Sequence, residues 1–305
     1  IAFLDDDDLY LPDKLAVQTA FLDAHTAIGL AAGGAQVVTA DGSPIRIWAT
    51  WRNRPDLSLP GCLYACPLLT CAVLFRRQWL GALDHWFDPT MDRAEDTDFW
   101  IRLLVAGCRM AWTPHIVSAY RWHPDNSQQD AERYQRGYLR LLDKLYARAD
   151  LPPSVSAERP ALYAHYHVVG ACHAYAAGQI EAGQEGLLQA VAVAPGAMQG
   201  TPPPIVSSIV GVAQSDGVTD PTALIDVIFS HLPPALARLR PYRRYALSAL
   251  PMQRVFAAHA AQEQPQFNDW LSGVSQYPRW LTNRGVWAIL VRDLLLHRVA
   301  PGARP

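Results

Sequence analysis

The chain has 305 residues, half of them hydrophobic, with 26 basic and 28 acidic side chains and a formal net charge of -2. That length and hydrophobic fraction suit two domains of ordinary size, each with a core of its own. Near-neutral charge gives no basic field for nucleic acid, and no run approaches the roughly 18 apolar residues of a membrane helix. Neither nucleic-acid binding nor a bilayer span is therefore expected, while peripheral membrane association stays open.

Ile1 to Leu4 reads as the short apolar run of a buried parallel strand, and four carboxylates, Asp5 to Asp8, follow where that strand would run out. Pro12 then sits at a helix start, with Leu15, Ala16, Thr19, Ala20 and Leu22 at broadly helical intervals after it. Strand, acidic turn and helix in that order place the acids at a site, because ligands of open α/β sheets bind outside the carboxyl ends of the strands. Adjacent carboxylates repel, and folding around them is costly unless a cation or donor groups compensate. Asp5 and Asp7 alternate, so an extended backbone points both to one side. Mg²⁺ or Mn²⁺ held by one or two carboxylates keeps positions free for substrate phosphates. A calcium loop of the EF-hand kind fails, since Leu9 and Tyr10 occupy its oxygen-ligand and glycine positions. A solvated acidic turn capping the helix is the plainer alternative.

Further on, Ile28 to Val38 reads as a strand, Asp41-Gly42 as a turn, and Ile45 to Trp48 as the second arm of a hairpin. Trp51 to Pro60 is expected to be an irregular loop. Leu68 to Phe75 is a second buried-strand candidate ending in Arg76 and Arg77. The five cysteines, Cys62, Cys66, Cys71, Cys108 and Cys172, form no CxxC pair and read as small buried hydrophobes in a reducing cytoplasm. Asp96, Trp100, Leu103 and Gly107 fall on one helical face, so Asp96 heads a stripe that otherwise packs inward. In a first turn its carboxylate feels the positive helix end, which suits a general base acting on a hydroxyl. Acids are also enriched there for the dipole alone. Cys108 to Trp112 reads as a short strand, Pro114 as its end, and Ile116 to His123 as another extended piece. A single histidine on a strand is more often packed or on the surface than a ligand. Tyr134 to Leu151 reads as a helix with Tyr138, Leu141, Leu142 and Leu145 facing inward, and Pro152-Pro153 marks a boundary. The expected division is an α/β domain over 1–150 and an all-α helical domain over 151–305.

The helical half carries no catalytic constellation. Tyr163 to Val193 forms two alanine-rich pieces broken at Gly178 and closed by Pro195, a layout resembling a tetratricopeptide unit, with a weaker echo from Met252 to Pro278. Plain helical packing is the alternative, because stable solenoids stack three or more units. Ile289 to Leu296 reads as an amphipathic helix. The basic residues Arg238, Arg240, Arg243 and Arg244 form either a solvated helix face or a surface for anionic lipid or a phosphate-bearing acceptor.

Three stretches together resemble family 2 glycosyltransferases, the inverting GT-A enzymes. Phe3 to Asp8 followed by Leu11-Pro12-Asp13-Lys14-Leu15 is similar to that family's DxD strand end and helix start, Glu95 to Arg102 to its Glu-Asp-x-x-Leu-Trp-x-Arg segment, and Tyr120 to His123 to its Tyr-Arg-x-His segment. The chain departs from the family at Trp86-Phe87-Asp88, where a glycine is usual before the Phe-Asp pair. The resemblance covers roughly residues 1–127. It implies a partial GT-A (Rossmann-like, mixed-sheet) domain that moves a sugar from a nucleotide-sugar donor to a glycan, lipid-linked or protein acceptor. A hexosyltransferase at the inner face of a bacterial plasma membrane, making cell-surface polysaccharide or glycoconjugate, would fit. It further implies that Asp5 and Asp7 contact the sugar nucleotide, that Asp7 and His123 contact a divalent metal (Mn²⁺ or Mg²⁺), that Arg121 meets a phosphate, that Asp96 is the catalytic base, and that Glu95 and Trp100 meet the acceptor. Arg102 would support the site. Because Ile1 is neither a Met nor part of a leader and opens inside an apparent core strand, the chain is expected to be a fragment with little activity alone, its first strands and base pocket lying upstream. A catalytically incompetent scaffold or binding protein built on the same elements is the competing expectation.

Overall fold

In the computed structural model, which describes residues 1–91, 93–123, 131–215, 218–260 and 263–292, strand β2 (Leu30–Val38) is the centre of a five-stranded mixed sheet. All but one of its residues are buried, which explains why its sequence is a continuous apolar run instead of an alternating one. One edge of β2 pairs in parallel with the long β5 (Met110–Arg121), and β5 pairs antiparallel with β1 (Leu9–Tyr10). The other edge is shared end to end by β4 (Val73–Phe75), opposite Leu30–Ala32, and β3 (Pro44–Trp48), opposite Ala35–Val38. Gly42, at a φ of 88°, makes the β2–β3 turn in a backbone region that disfavours other residues.

Three expected elements differ. The segment Ile1 to Leu4 is no ladder strand: Ile1 alone exchanges two backbone hydrogen bonds with Phe75, and the true strand follows the acids, at Leu9. Of the run Leu68 to Phe75 only the last three residues are strand, preceded by a 3₁₀ turn at Thr70–Ala72. The two pieces expected either side of Pro114 form one strand. Ala32 pairs with Trp112 and Gly34 with Ile116, so β5 advances four residues while β2 advances two, and Pro114 lies in the resulting bulge where no ladder donor is needed. Gly33 and Gly34 permit this crowding, since a Cβ on Gly34 would collide with the Trp48 carbonyl and the Trp51 ring.

Helix α1 (Lys14–Ala24) shows why its inward face escaped a hydrophobic reading. Its buried stripe is Lys14, Gln18 and Leu22, while Leu15 is exposed. Lys14 Nζ donates to Gln18 Oε1 (2.6 Å) and the Val73 carbonyl (3.0 Å). Gln18 Nε2 donates to the carbonyls of Ala31 (3.1 Å) and Ala72 (2.8 Å), so buried polar side chains satisfy backbone acceptors at the sheet. Burial lowers the Lys14 ammonium to about 8.

After the short α2 (Leu59–Ala65), α3 (Glu95–Val105) buries Phe99, Trp100 and Leu103 against Phe3, Phe75 and Phe87, with neighbouring ring centroids 4.9–6.1 Å apart. Such tilted, edge-on and stacked aromatic pairs add to the burial each ring already contributes. α4 (Ala131–Tyr146) turns Tyr138, Leu141, Leu142 and Leu145 inward.

The chain divides into two compact units, Ile1–Leu162 and Tyr163–Pro305, the cut falling within α6 (Arg159–Ala176), which follows α5 (Pro153–Ala157). In the second unit all described elements are helical. α6 ends at Gly178 (φ 75°) and is followed by α7 (Ile180–Val193), whose Gly186 lets it approach Ala171 closely. α8 (Pro204–Ala213) and α9 (Pro221–Ser230) lead to a nine-residue 3₁₀ segment, Pro234–Tyr242. α10 (Arg243–Ala260) and α11 (Phe267–Gln276) meet where Gly273 packs on Met252. α12 (Arg284–Ile289) closes a core of Met252, Val255, Trp270, Val274, Val286, Ile289 and Leu290. No described helix is long and apolar enough to cross a membrane. The part of the expected last amphipathic helix beyond 292 lies outside the described residues.

Candidate active site

The antiparallel pairing of Leu9 with Ala119 and Tyr10 with Ser118 carries the acid turn to the end of β5. Asp8 is the hinge of this arrangement: almost fully buried, it accepts a hydrogen bond from the Arg121 amide (2.9 Å) and bonds the Cys71 thiol, whose sulfur lies 3.4 Å from Ser118 Oγ. Burial raises its carboxyl above the usual range, while the Arg121 amide pulls the other way. Beside it, Asp7 Oδ2 meets His123 Nε2 at 2.8 Å, joining the first motif to the third across the whole first unit.

Asp5 opens toward solvent, yet the protein around it strips part of its hydration, and the charges of Asp8, Asp7, Asp96 and Glu95 add to that effect. Its carboxyl is pushed up to about 6. Acids from both motifs thus lie in one negative field that no described cation neutralises at Asp5.

At the start of α3, Asp96 is held by its own turn. Oδ1 accepts from the Thr97 amide (2.5 Å) and hydroxyl (3.3 Å), and Oδ2 accepts from the Thr70 hydroxyl (3.3 Å). Burial, then the neighbouring Glu95, raises its carboxyl, while these three donors pull it down. The preceding Ala94 sits at φ 59°, a left-handed conformation costly for alanine, so this helix start is held under strain. Thr70 was not singled out from sequence and Cys71 was read only as a small buried hydrophobe, yet they bridge the two acid motifs: Thr70 hydrogen-bonds Asp96 and the Cys71 thiol bonds Asp8. Only the Thr-Cys pair ahead of an apolar run could have signalled this, and that pattern is too common to point anywhere.

Two sequence expectations, Trp100 and Arg121, are corrected, and the supporting task of Arg102 is made specific. Trp100, expected at the acceptor, has no exposed surface and packs within the Phe3, Phe75 and Phe99 cluster, so it shapes the floor of α3 and cannot touch a substrate. Arg121, expected on a phosphate, directs Nε to the Asp7 carbonyl (2.8 Å) and Nη1 to the Ala40 carbonyl, fixing the acid turn in place. Arg102 acts at a distance from the acids: Nε donates to Asp98 (2.8 Å) and Nη1 and Nη2 to the carbonyls of His85 and Trp86, while Lys144 ties Asp98 (2.9 Å) to Asp88 (2.7 Å). This buried network clamps the Trp86 to Asp88 loop onto α3. Glu95 is exposed at the helix start.

Among the described residues no three His, Cys, Asp or Glu side chains are arranged to hold a metal ion. Asp7 and His123 are joined here by a hydrogen bond of 2.8 Å, which a cation held by both would replace, and a carboxylate with an imidazole is a donor set that suits Mn²⁺ better than Mg²⁺.

No protein-family model matches the chain, and no curated protein matches it. Among solved structures it is similar to S. aureus TarS 1-349 in complex with UDP-GlcNAc, at 15% identity and a TM-score of 0.43, over 87% of this chain and 68% of that one.

Proposed function

We propose that the first unit is a GT-A-type domain that transfers a sugar, with inversion, from a nucleotide-sugar donor to a hydroxyl acceptor on a glycan, lipid-linked glycan or protein. The observation that carries this reading is the contact between Asp7 and His123 within the field shared by Asp5, Glu95 and Asp96. Three segments far apart in sequence bring acids and an imidazole to one locality, which a solvated helix-capping turn has no need of. Asp96, steadied by Thr70 and Thr97, takes the acceptor proton. Its raised carboxyl makes it a stronger base than an ordinary aspartate. Asp5 and Asp7 face the donor, and Glu95, exposed beside Asp96, receives the acceptor. A divalent cation held by Asp7 and His123 supplies charge neutralisation to a diphosphate leaving group when bound. A single displacement attacks the anomeric carbon from the face opposite that group, so no covalent sugar intermediate on the protein is required.

The test is nucleotide release or transfer from a panel of UDP-, GDP- and dTDP-sugars with Mn²⁺, in the longest natural form of the protein. Asp7→Ala is expected to lower turnover at least about 100-fold, and chelation of the metal to do the same. Wild-type protein that releases no more nucleotide than Asp7→Ala on every donor would leave the scaffold reading in its place.

A further inference from the structure

Helix α4 reaches the proposed base through a chain of hydroxyl groups. Thr97, buried beside Asp96, donates from Oγ1 to Asp96 Oδ1 (3.3 Å). The Tyr138 hydroxyl lies 3.2 Å from the same Thr97 oxygen. Tyr134, one turn earlier on α4, hydrogen-bonds Tyr138, and the two ring centroids are 4.5 Å apart. Their four-residue spacing puts both side chains on one face of the helix. α4 is held against α3 at two places. A Cβ on Gly137 would stand 2.7 Å from the Arg93 Cβ and 2.9 Å from its carbonyl oxygen, so glycine lets the helix close onto the residue before the strained Ala94. Two turns further along, Lys144 meets Asp98 at 2.9 Å.

Counting hydrogens fixes the direction of the chain. An ionised carboxylate only accepts, and a hydroxyl has one hydrogen to give. With Asp96 ionised, the Thr97 hydrogen goes to Asp96, so Tyr138 donates to Thr97 and Tyr134 to Tyr138, and all three hydroxyls point at the charge. Once Asp96 holds the acceptor's proton it becomes a donor, and the same hydroxyls turn about their C–O bonds to point the other way. No covalent bond is made or broken in that turn. Hydrogen bonds to an ionised acceptor are roughly twice as strong as neutral ones, and aligned hydroxyls polarise one another, so the chain favours the carboxylate over the acid. The titratable groups that act on or feel Asp96 are Glu95, Asp5, Cys66 and Tyr134, none of which supplies a cation. Burial raises the Tyr134 phenol, its bond to Tyr138 pulls it down, Cys66 and Asp96 push it up, and the charge of Arg54 lowers it.

Given the reading of Asp96 as the base, on which this rests, we infer that Tyr138 and Tyr134 are positioning residues: through Thr97 they stabilise the ionised carboxylate and turn with it when it takes a proton.

The experiment follows the Asp96 carboxyl across pH by ¹³C NMR in the whole chain labelled at aspartate Cγ, its signal being the one missing from Asp96→Asn. No substrate is needed, so the result judges the hydroxyl chain whether or not the protein transfers sugar, whereas a wild type without transfer would remove the reading beneath it. Tyr138→Phe keeps the buried ring and loses one hydroxyl, and should raise the Asp96 midpoint by about half a pH unit or more. Thr97→Val should do at least as much, Thr97→Ser should restore the wild-type value, and Tyr134→Phe should move it the same way by less. Tyr146→Phe removes a hydroxyl of the same helix that bonds the Val155 carbonyl (3.0 Å), and should leave the midpoint where it is. In sugar transfer, the acid limb of the kcat profile should rise with the midpoint in Tyr138→Phe while the nucleotide-sugar KM stays unchanged. Thr97→Val breaks the chain at a different atom, so a folding defect in one variant leaves the other to decide. An Asp96 midpoint that is unmoved or lowered when the chain is cut, or that moves equally in Tyr146→Phe, would overturn the inference.

Discussion

Asp96→Asn is expected to lower sugar transfer by about 10²–10⁴-fold while leaving the donor KM near its wild-type value, because the amide keeps the shape and the Thr97 contacts, with the Thr70 hydroxyl turning to accept from the amide nitrogen, but cannot take the acceptor's proton. The acid limb of the wild-type pH profile should lie above the ordinary aspartate range, since burial and Glu95 raise this carboxyl, and the variant's residual rate should lack that limb. Stability should move the other way. A carboxyl whose folded pKa exceeds its unfolded value favours the fold when protonated and costs stability once ionised. The wild type therefore loses stability relative to the Asp96→Asn variant as pH rises from the unfolded value of 3.8 through the raised folded one. Steady-state kinetics and paired thermal melts across pH measure both effects. An unchanged kcat would remove Asp96 from the chemistry.

Arg102→Ala should be the most damaging single change in the first unit. It strands Asp98, which is 5% exposed, with only Lys144, and leaves the carbonyls of His85 and Trp86 without their donor. Removing one partner from a buried ion pair costs about 3–5 kcal/mol, equivalent to a melting shift of roughly 6–20 °C for a unit of this size. Arg102→Lys should fall between, since a point charge reaches Asp98 but cannot fork to two carbonyls. Calorimetry resolving the two units checks this. A shift under about 1 °C would show that the Trp86 to Asp88 loop is held by other contacts.

Local signals in the sequence sufficed for elements whose causes are local. The run Leu30–Val38, the Asp41-Gly42 turn, the α3 stripe of Trp100 and Leu103 and the break at Gly178 each need only their own neighbours. What escaped reading depends on partners distant in sequence. Ile1 to Leu4 is apolar enough for a strand, but its only ladder-type partner is Phe75. Pro114 looked like a terminator because the bulge that shelters it is set by Gly33 and Gly34 on another strand. The spacing of Leu15, Ala16, Thr19 and Ala20 gave no sign that Lys14 and Gln18 face inward, and only the carbonyls of Ala31, Ala72 and Val73 show why they do. In the site, the acids and His123 were legible as motifs. The inward turn of Trp100 and the anchoring tasks of Arg121, Asp8, Thr70 and Cys71 were not, because a motif gives residue identity while burial and hydrogen-bond partners decide what a side chain can reach.

A crystal of the protein grown with Mn²⁺ and a nucleoside diphosphate, with the anomalous signal collected to locate the ion, reaches the central claim most directly. The expected map has manganese between the Asp7 carboxylate and the His123 imidazole, diphosphate oxygens completing its shell, and Asp96 facing the same space. Manganese bound elsewhere, or diphosphate seated away from Asp7 with the Asp7–His123 hydrogen bond intact, would contradict it.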